Sequence, residues 1–344
     1  MSINKLTMNN RRVITWLIAG TLVLGIAIAV AHTRDSSVRR YSRIEFGELA
    51  GAIGKLTFVQ RTALPAAPSE VRIYKVQPLV SKKDALLKIF KALSIESSPE
   101  ADARLRRLER APGSWAQKGE PSSASIGGWL VEVWSDGKFI IHNTDLLNRP
   151  YDSEKAPVVP TAEEARKVAD DFFARVGPLP TDVTFAKVQP GEWDTFGAGD
   201  KPDDTVVRSQ LVSYSAAIDG IPVYASVNVY VGPGPAVISA ISFLCQVVPD
   251  DKVPILSPQE AFEKLRAGEG FIDDGPSWDA TANVTLIRLV HYPVDIAPGR
   301  SCSHTMPIYV FRGEAVADGR KGVPWRAFVE AVRPEFLKTK HVDQ

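Results

Sequence analysis

The chain has 344 residues, of which 44% are hydrophobic and 24% are charged, an ordinary balance for a folded protein. Its 41 Lys and Arg residues nearly equal its 40 Asp and Glu residues, so the formal net charge is +1. A net charge this close to zero argues against a nucleic-acid binder, which carries a basic surface. At about 100–200 residues per domain, the length allows two or three domains.

An uncharged apolar segment lies near the N-terminus. Residues 13–31, VITWLIAGTLVLGIAIAVA, contain no charged side chain. A helix rises about 1.5 Å per residue, so this segment would nearly cross a hydrocarbon core of about 30 Å. Lys5, Arg11 and Arg12 precede it, which favours a cytoplasmic tail over residues 1–12. We therefore predict a single-pass protein of the cell membrane, with the bulk of the chain extracytoplasmic.

A removable signal peptide is the alternative for the same segment. Ala29-Val30-Ala31 has the A-x-A form of a cleavage site. The apolar stretch is longer than the roughly 7–15 residues of a typical signal peptide, which favours a retained anchor. Both alternatives place the rest of the chain outside the cytoplasm.

Three similar helix starts follow a segment that is rich in Pro and Ala. Residues 32–79 are interpreted as a stalk or linker. Beyond it the pattern [ST]-x-x-[DE]-A begins at Ser81, Thr161 and Ser257. In this pattern the hydroxyl accepts a hydrogen bond from the backbone N–H three residues on, and the acidic side chain can bond back. Each copy therefore predicts the start of a helix.

Alternating apolar residues follow each predicted helix on both sides of an Asp-Gly turn. The three turns are at 136–137, 219–220 and 318–319, and Asp-Gly between such runs predicts an antiparallel hairpin. Residues 223–231 and 236–248 read as two continuous strands of the second set. We therefore predict an α+β fold in which a transmembrane helix precedes tandem modules of helices packed on antiparallel β-sheets. The expected modules cover residues 80–155, 156–250 and 251–344.

One predicted strand carries a candidate partner-binding face. Tyr224, Ser226, Asn228 and Tyr230 alternate with a run of valines and one alanine along residues 223–231, so they share the other face of the strand. Two tyrosines on a polar face are typical of a surface that contacts a protein or peptide. Packing beneath a neighbouring helix or module is the alternative.

The chain contains two cysteines, Cys245 and Cys302. An even number of cysteines in an oxidising compartment favours a disulfide between them. Cys245 is also in phase with Ile241 and Phe243, so a buried thiol is the alternative.

Motifs of common catalytic and metal sites are not found in the sequence. It contains no G-x-S-x-G, no P-loop and no H-E-x-x-H motif, and its five histidines do not have helical metal-ligand spacing. We therefore predict no catalytic residue, no metal and no cofactor, and a protein that is not an enzyme.

Several segments between residues 160 and 332 carry a family resemblance. They are TAEEA at 161–165, YSAAIDGIPVY at 214–224, SPQEA at 257–261, VTLIRLV at 284–290 and MPIYVF at 306–311. This half of the chain resembles the extracytoplasmic domains of the YycH/YycI accessory proteins of Wal-type two-component systems. It is similar, more loosely, to the PepSY-like domains of protease propeptides and membrane regulators. The resemblance implies a single-pass protein that acts by contacting another protein.

These observations together predict a membrane-anchored binding or regulatory protein. Its partner would be another membrane or envelope protein: a sensor kinase, as in the Wal systems, a protease, as in propeptides, or the subunits of a complex. Two alternatives remain, a structural accessory subunit of a larger membrane complex and a cell-envelope hydrolase with an unrecognised site. No nucleic-acid partner is expected.

Overall fold

The structure, a computed structural model, describes residues 40–41, 44, 54–95, 122–147, 158–177, 182–196, 202–293 and 303–338. The segment 13–31 lies outside these ranges, and within them no helix is both long and apolar enough to span a bilayer. The chain divides into a small unit, residues 1–43 with 334–344, and a large unit, residues 44–333. In the small unit, Tyr41 forms a parallel bridge with Leu337, and both side chains are buried.

The described part of the large unit contains four helices and fifteen strands. The helices are α1 (Lys82–Ala92), α2 (Thr144–Leu147), α3 (Ala162–Val176) and α4 (Pro258–Arg266). The strands are β1 (Leu56–Gln60), β2 (Glu70–Val76), β3 (Ser122–Ile126), β4 (Trp129–Val133), β5 (Phe139–Asn143), β6 (Asp182–Phe196), β7 (Pro202–Ile218), β8 (Ile221–Pro222), β9 (Val227–Gly232), β10 (Ala236–Ser242), β11 (Val247–Pro254), β12 (Phe271–Asp274), β13 (Ala280–Pro293), β14 (His304–Val316) and β15 (Val323–Glu330).

All three predicted helix starts are confirmed. The Ser81 hydroxyl accepts a hydrogen bond from the backbone N–H of Asp84 at 3.1 Å. Thr161 and Ser257 each form a complete capping box with the glutamate three residues on. These bonds satisfy backbone donors that the first turn of a helix leaves without an intrahelical partner.

Glycines mark the C-terminal ends of α3 and α4. Gly177 is the C-terminal cap of α3. Gly268 follows the cap of α4 with φ +79°, a conformation that glycine adopts without steric cost.

One antiparallel sheet of eight strands carries two of the helices. Its order is β3-β4-β5-β10-β9-β7-β6, with β8 paired to β7. Helices α1 and α3 pack against each other, and their apolar sides share a core with the valines of β9. Phe172 of α3 and Val229 of β9 are almost fully buried in it. This apolar layer joins the helices to the sheet.

A second sheet of seven strands carries α4. The order β1-β13-β14-β15-β12 forms its main path, and β2 pairs with both β14 and β11. All pairs are antiparallel except β1 with β13. Phe262 and Leu265 of α4 pack in one core with Phe311 of β14 and Trp325 of β15. Helices packed on antiparallel sheets thus confirm the predicted α+β class.

The two sheets divide the chain differently from the expected modules. Strand β5 pairs with β10, with Ile141 opposite Ala240, so the expected modules 80–155 and 156–250 share one sheet and one core. The physical reason is the apolar face of α1, because its Leu86 and Ile89 are buried in the same core as α3.

The expected stalk, residues 32–79, contributes two strands to the seven-stranded sheet. Strand β1 pairs with β13, and β2 pairs with β11 and β14. The segment EVRIYKV alternates apolar and polar residues, and its Ile73 is completely buried. A side chain buried in this way requires a sheet neighbour, which strands from the far end of the chain provide.

Two strands that were predicted to be continuous are interrupted. The run 223–231 is regular only from Val227, because residues 224–226 lie outside the strands, while Val223 still bonds to β7. The run 236–248 is interrupted at residues 243–246, where the chain crosses from β10 in one sheet to β11 in the other. The two interruptions lie beside each other, since the N–H of Phe243 donates to the Ser226 carbonyl at 2.9 Å.

Candidate functional site

The segment 223–226 lies between the two sheets. Val223 forms a parallel bridge with His291 of β13. The N–H of Tyr224 donates to the His291 carbonyl at 2.7 Å, and the N–H of Val223 donates to the Ala216 carbonyl of β7 at 2.8 Å. The backbone is therefore bonded to both sheets, and the Tyr224 side chain is held against the seven-stranded sheet.

Three aromatic rings meet at this position. The Tyr224 ring stacks on Tyr292 of β13 with centroids 5.7 Å apart and an interplanar angle of 23°. It meets Phe328 of β15 edge to face at 5.3 Å. Tyr292 and Phe328 are themselves 5.9 Å apart. Such offset and edge-to-face pairs stabilise aromatic clusters beyond the apolar area that they bury, so the rings form a fixed surface.

An arginine held by an aspartate borders the rings. The Nε of Arg326 donates to an Asp273 carboxylate oxygen at 2.6 Å, and a second guanidinium nitrogen bonds to the same oxygen. The guanidinium carbon lies 5.9 Å from the centre of the Tyr224 ring and 5.8 Å from that of Phe328. Charge-assisted bonds of this kind fix the direction of a guanidinium. Arg326 therefore presents its charge beside the aromatic surface.

We call the depression around these residues the Tyr224 cleft. Its volume is about 510 Å³. It combines aromatic side chains with two arginines and one carboxylate. The lining residues are Val223, Tyr224, Ala225, Ser226, Phe243, Asp273, Tyr292, Arg312, Arg326 and Phe328.

The phenol of Tyr292 is neutral in the cleft. Burial, together with the nearby Tyr224 and the Asp273 carboxylate, raises the pKa of Tyr292 to about 12, although Arg326 opposes the shift. A tyrosine is protonated at neutral pH even at its ordinary pKa of about 10, so the charged groups of the cleft are its two arginines and Asp273.

A buried histidine lies on the sheet beside the cleft. His291 is 0% exposed, and neither ring nitrogen has a hydrogen-bond partner. Its ring meets Tyr74 edge to face at 5.3 Å, and the Tyr74 hydroxyl donates to Asp219 in the turn between β7 and β8. Burial lowers the pKa of His291 to about 4, against the opposing effect of Asp219. The imidazole is therefore neutral where the two sheets meet.

The predicted partner-binding residues separate into two pairs. Tyr224 and Ser226 line the Tyr224 cleft. Asn228 and Tyr230 are half-buried on β9 of the eight-stranded sheet, where they pair with Ser213 and Leu211 of β7. The break before Val227 causes this separation, because it removes the first two residues from the strand that was predicted to hold all four.

The predicted disulfide falls partly outside the described residues. Cys245 is buried in the segment between β10 and β11, and Cys302 lies outside the described ranges. The pairing therefore stays a prediction. In the described ranges, no three His, Cys, Asp or Glu side chains are grouped as ligands for a metal ion.

A second depression differs from the Tyr224 cleft in its chemistry. It lies at the start of α1, has a volume of about 320 Å³, and includes Leu79, Ile89, Phe139 and Leu244 among its lining residues. Protein interfaces are enriched in Tyr and Arg. The Tyr224 cleft holds both residue types, so it is the stronger candidate for a binding site.

Sequence reasoning predicted Tyr224 and Ser226 and missed six aromatic or charged residues of the cleft: Phe243, Asp273, Tyr292, Arg312, Arg326 and Phe328. A partial signal for three of them was present, because residues two apart on a strand share a face. This places Arg312 on the face of Ile308 and Val310, and Arg326 on the face of Phe328. That Arg312 and Arg326 are direct neighbours depends on the register of β14 and β15, which alternation alone does not give.

Comparison with known proteins gives no family for this chain. No family model matches it, and no curated protein matches it. One solved structure with a detectable likeness is an uncharacterized protein from Eubacterium rectale, with 12% sequence identity and a TM-score of 0.35. The match covers 80% of this chain and 86% of that one. The function must therefore be argued from the site itself.

Proposed function

We propose that this chain is a membrane-anchored, extracytoplasmic protein without enzymatic activity that binds another membrane or envelope protein. The observation that carries the proposal is the Tyr224 cleft, where Tyr224, Tyr292, Arg312 and Arg326 lie together. Tyrosine and arginine are the residues that most often contribute large shares of binding energy at protein interfaces. They do so around depressions that a partner side chain can fill.

The order of the cleft supports binding. Tyr224 is fixed by a backbone bond to β13 and by two ring contacts, and Arg326 is fixed by Asp273. Side chains that already hold one conformation lose little entropy when a partner arrives. A cleft of this kind binds more tightly than the same residues on mobile loops.

The sequence supports the location. The uncharged segment 13–31 and the basic residues before it favour a single-pass anchor with the rest of the chain outside the cytoplasm. A sensor kinase, a protease or subunits of a complex remain the candidate partners from the family resemblance. Each of these is a protein, which agrees with the residue types of the cleft.

Site-specific photocross-linking tests the binding proposal. The full-length chain would carry p-benzoylphenylalanine in place of Tyr224 in its native membrane, and a matched variant would carry it in place of Tyr230. Tyr230 is a tyrosine of the same predicted face, but it lies on β9 outside the cleft. We expect an adduct of defined mass from position 224 and not from position 230. Equal adducts from both positions, or none from position 224, would contradict the proposal.

Extraction of the membranes tests the anchor. We expect the full-length chain to stay in the membrane pellet after treatment with alkaline carbonate, with the segment 13–31 still attached. Added protease should digest the bulk of the chain in cells whose cytoplasmic membrane is intact. Release into the supernatant with a new N-terminus at His32 would show a cleaved signal peptide instead.

A further inference from the structure

A group of arginines on one face of the seven-stranded sheet indicates what the Tyr224 cleft binds. Arg312 on β14 lies directly opposite Arg326 on β15. Arg288 on β13 lies opposite Val310, two residues from Arg312 on the same face. Three adjacent strands therefore carry one arginine each on the side of the sheet that faces away from the α4 core. We call Arg288, Arg312 and Arg326 the arginine face.

Only part of this charge is neutralised within the described residues. Asp273 bonds to Arg326. Arg288 and Arg312 are exposed, and in the part of the chain that the structure describes neither forms an ion pair with a carboxylate. Like charges directly opposite each other on neighbouring strands are destabilising. Asp273 offsets the charge of Arg326, so Arg312 is the guanidinium of this pair that an external anion would neutralise.

Apolar surface adjoins the arginine face. Leu286 lies opposite Arg312 on β13 and is 42% exposed. On the other side are the rings of Tyr224 and Tyr292 in the Tyr224 cleft. A ligand that satisfies the whole surface therefore needs carboxylates for the guanidinium groups and apolar or aromatic side chains for the rings and Leu286.

We propose that the Tyr224 cleft and the arginine face bind an acidic segment of a protein partner, in which carboxylates alternate with apolar or aromatic side chains. The inference rests on the proposed function, because it names the chemistry of the partner at the same site. In the bound state a carboxylate of the segment accepts hydrogen bonds from Arg312, a second carboxylate lies near Arg288, and an apolar side chain fills the cleft against Tyr224 and Tyr292.

Charge and size favour a protein segment over other anions. The whole chain has a net charge of only +1, whereas binding to the backbone of a nucleic acid uses an extended basic surface. The cleft volume of about 510 Å³ suits a few side chains of an extended segment. The apolar contacts at Leu286 and Tyr292 would gain nothing from a simple inorganic anion.

The test measures peptide binding to the full-length protein in detergent micelles. The probes are three short fluorescent peptides, in which Phe alternates with Glu, with Gln or with Lys. We expect the Glu peptide to bind at least about tenfold more tightly than the Gln peptide, because hydrogen bonds between a carboxylate and a guanidinium are stronger than those between neutral groups. The Lys peptide should bind most weakly. Affinity of the Glu peptide should fall as salt is added.

Matched variants locate the binding. Arg312→Gln should weaken binding of the Glu peptide about fivefold to tenfold. Lys252→Gln removes one positive charge from an exposed position on β11, away from the cleft lining, and should change nothing. In Arg312→Glu the preference should shift towards the Lys peptide. Thermal unfolding of each variant shows that it folds, which the exposed position of Arg312 makes the expected result.

Several outcomes would overturn the inference. One is a Glu peptide that binds no better than the Gln peptide; another is an equal loss in Arg312→Gln and Lys252→Gln. Binding to phosphatidylglycerol vesicles or to single-stranded DNA that is tighter than to the Glu peptide, and equally sensitive to Arg312→Gln, would assign the arginine face to another ligand. A cross-link from position 224 without any charge preference would leave the proposed function standing and remove this inference alone. Charge-selective peptide binding without a cross-link would show that the site recognises acidic peptides but has no protein partner in the native membrane, which would contradict the proposed function.

Discussion

The eight-stranded and seven-stranded sheets use their faces differently. In the eight-stranded sheet, two helices cover one face, and the residues on the helix side of β9 are valines with no exposed surface. In the seven-stranded sheet, α4 covers one face with an equally apolar core, while the opposite face carries Arg288, Arg312 and Arg326. Burial therefore accounts for the residues of the first sheet and for one side of the second. Burial does not account for the arginine face, because Arg288 and Arg312 are exposed, and it is this face for which we propose a ligand.

The largest expected effect comes from the core of the seven-stranded sheet. Trp325 is almost fully buried and packs 5.2 Å from Phe58 of β1. Trp325→Ala should lower the free energy of unfolding by about 4 kcal/mol, because it leaves a cavity at the centre of the sheet. Denaturation followed by circular dichroism measures the loss. Phe185→Ala, at a position that is 36% exposed, serves as the control. An equal loss of stability there would show that burial does not determine the size of the loss.

The second-largest expected loss of stability comes from breaking a buried ion pair of the eight-stranded sheet. Lys138 and Asp136 lie in the β4–β5 turn with 3.0 Å between the ammonium and the carboxylate, and both side chains are almost fully buried. Lys138→Met should destabilise the protein by about 3 kcal/mol, because it removes the ammonium that pairs with a buried carboxylate. Chemical denaturation measures the loss. Lys167→Met breaks an exposed ion pair and is the control. If Lys138→Met loses no more stability than this control, the buried pair does not stabilise the protein as predicted.

A third effect depends on pH and concerns His291. The unfolded imidazole has an ordinary pKa of 6.5, and burial lowers the pKa in the folded state to about 4. Between these values the unfolded chain binds the extra proton, so stability is complete above pH 6.5 and falls as the pH decreases towards 4. The contribution that is lost is about 3 kcal/mol. Denaturation at several pH values should show this slope in the native protein and a smaller slope in His291→Leu; an unchanged slope would exclude His291 as its source.

Loss of a helix cap should cost less. Thr161→Ala and Ser257→Ala each remove the side-chain acceptor of a complete capping box, and each should lower the free energy of unfolding by about 1 kcal/mol. Comparing the losses of stability in these two variants shows whether α3 and α4 stabilise their sheets equally. Thermal unfolding measures both. Thr285→Ala, on an exposed strand position, is the control and should lie closer to the native value.

The smallest expected effect on stability is at the arginine face. Arg312→Gln removes one of two like charges that face each other across β14 and β15, so we expect a gain of about 0.3 kcal/mol or less. The same variant should lose peptide binding, so stability and binding change in opposite directions. A clear destabilisation would show that Arg312 has a structural role, and the contrast between the two sheets would then disappear.

The local elements of this fold could be predicted well from the sequence. Ser81, Thr161 and Ser257 cap helices because the hydroxyl and the acidic residue that follows lie within one turn. The Asp136-Gly137 hairpin is equally local. These predictions depend on a few neighbouring residues, and the pattern contains all the physical information that they need.

What could not be predicted depends on distant parts of the chain. Tyr224 leaves its strand because its backbone bonds to His291, sixty-seven residues further along. Residues 56–60 form a strand only because β13 is present to pair with them. The Tyr224 cleft combines both cases, since its walls come from strands whose partners and registers no local pattern specifies. Only one half of the predicted partner-binding set, Tyr224 and Ser226, therefore lies in it.

The pairing of β1 with β13 also has a consequence for the order in which the protein matures. The strands of the seven-stranded sheet come from both ends of the sequence, and the eight-stranded sheet lies between β2 and β11. As the chain is synthesised, β3–β10 can assemble while β1 and β2 still lack their neighbours. Such distant pairings form slowly and leave unpaired strand edges open to aggregation. Strands β1 and β2 therefore cannot complete their sheet until β11–β15 have been synthesised, and neither can the Tyr224 cleft, whose lining includes Phe328 of β15.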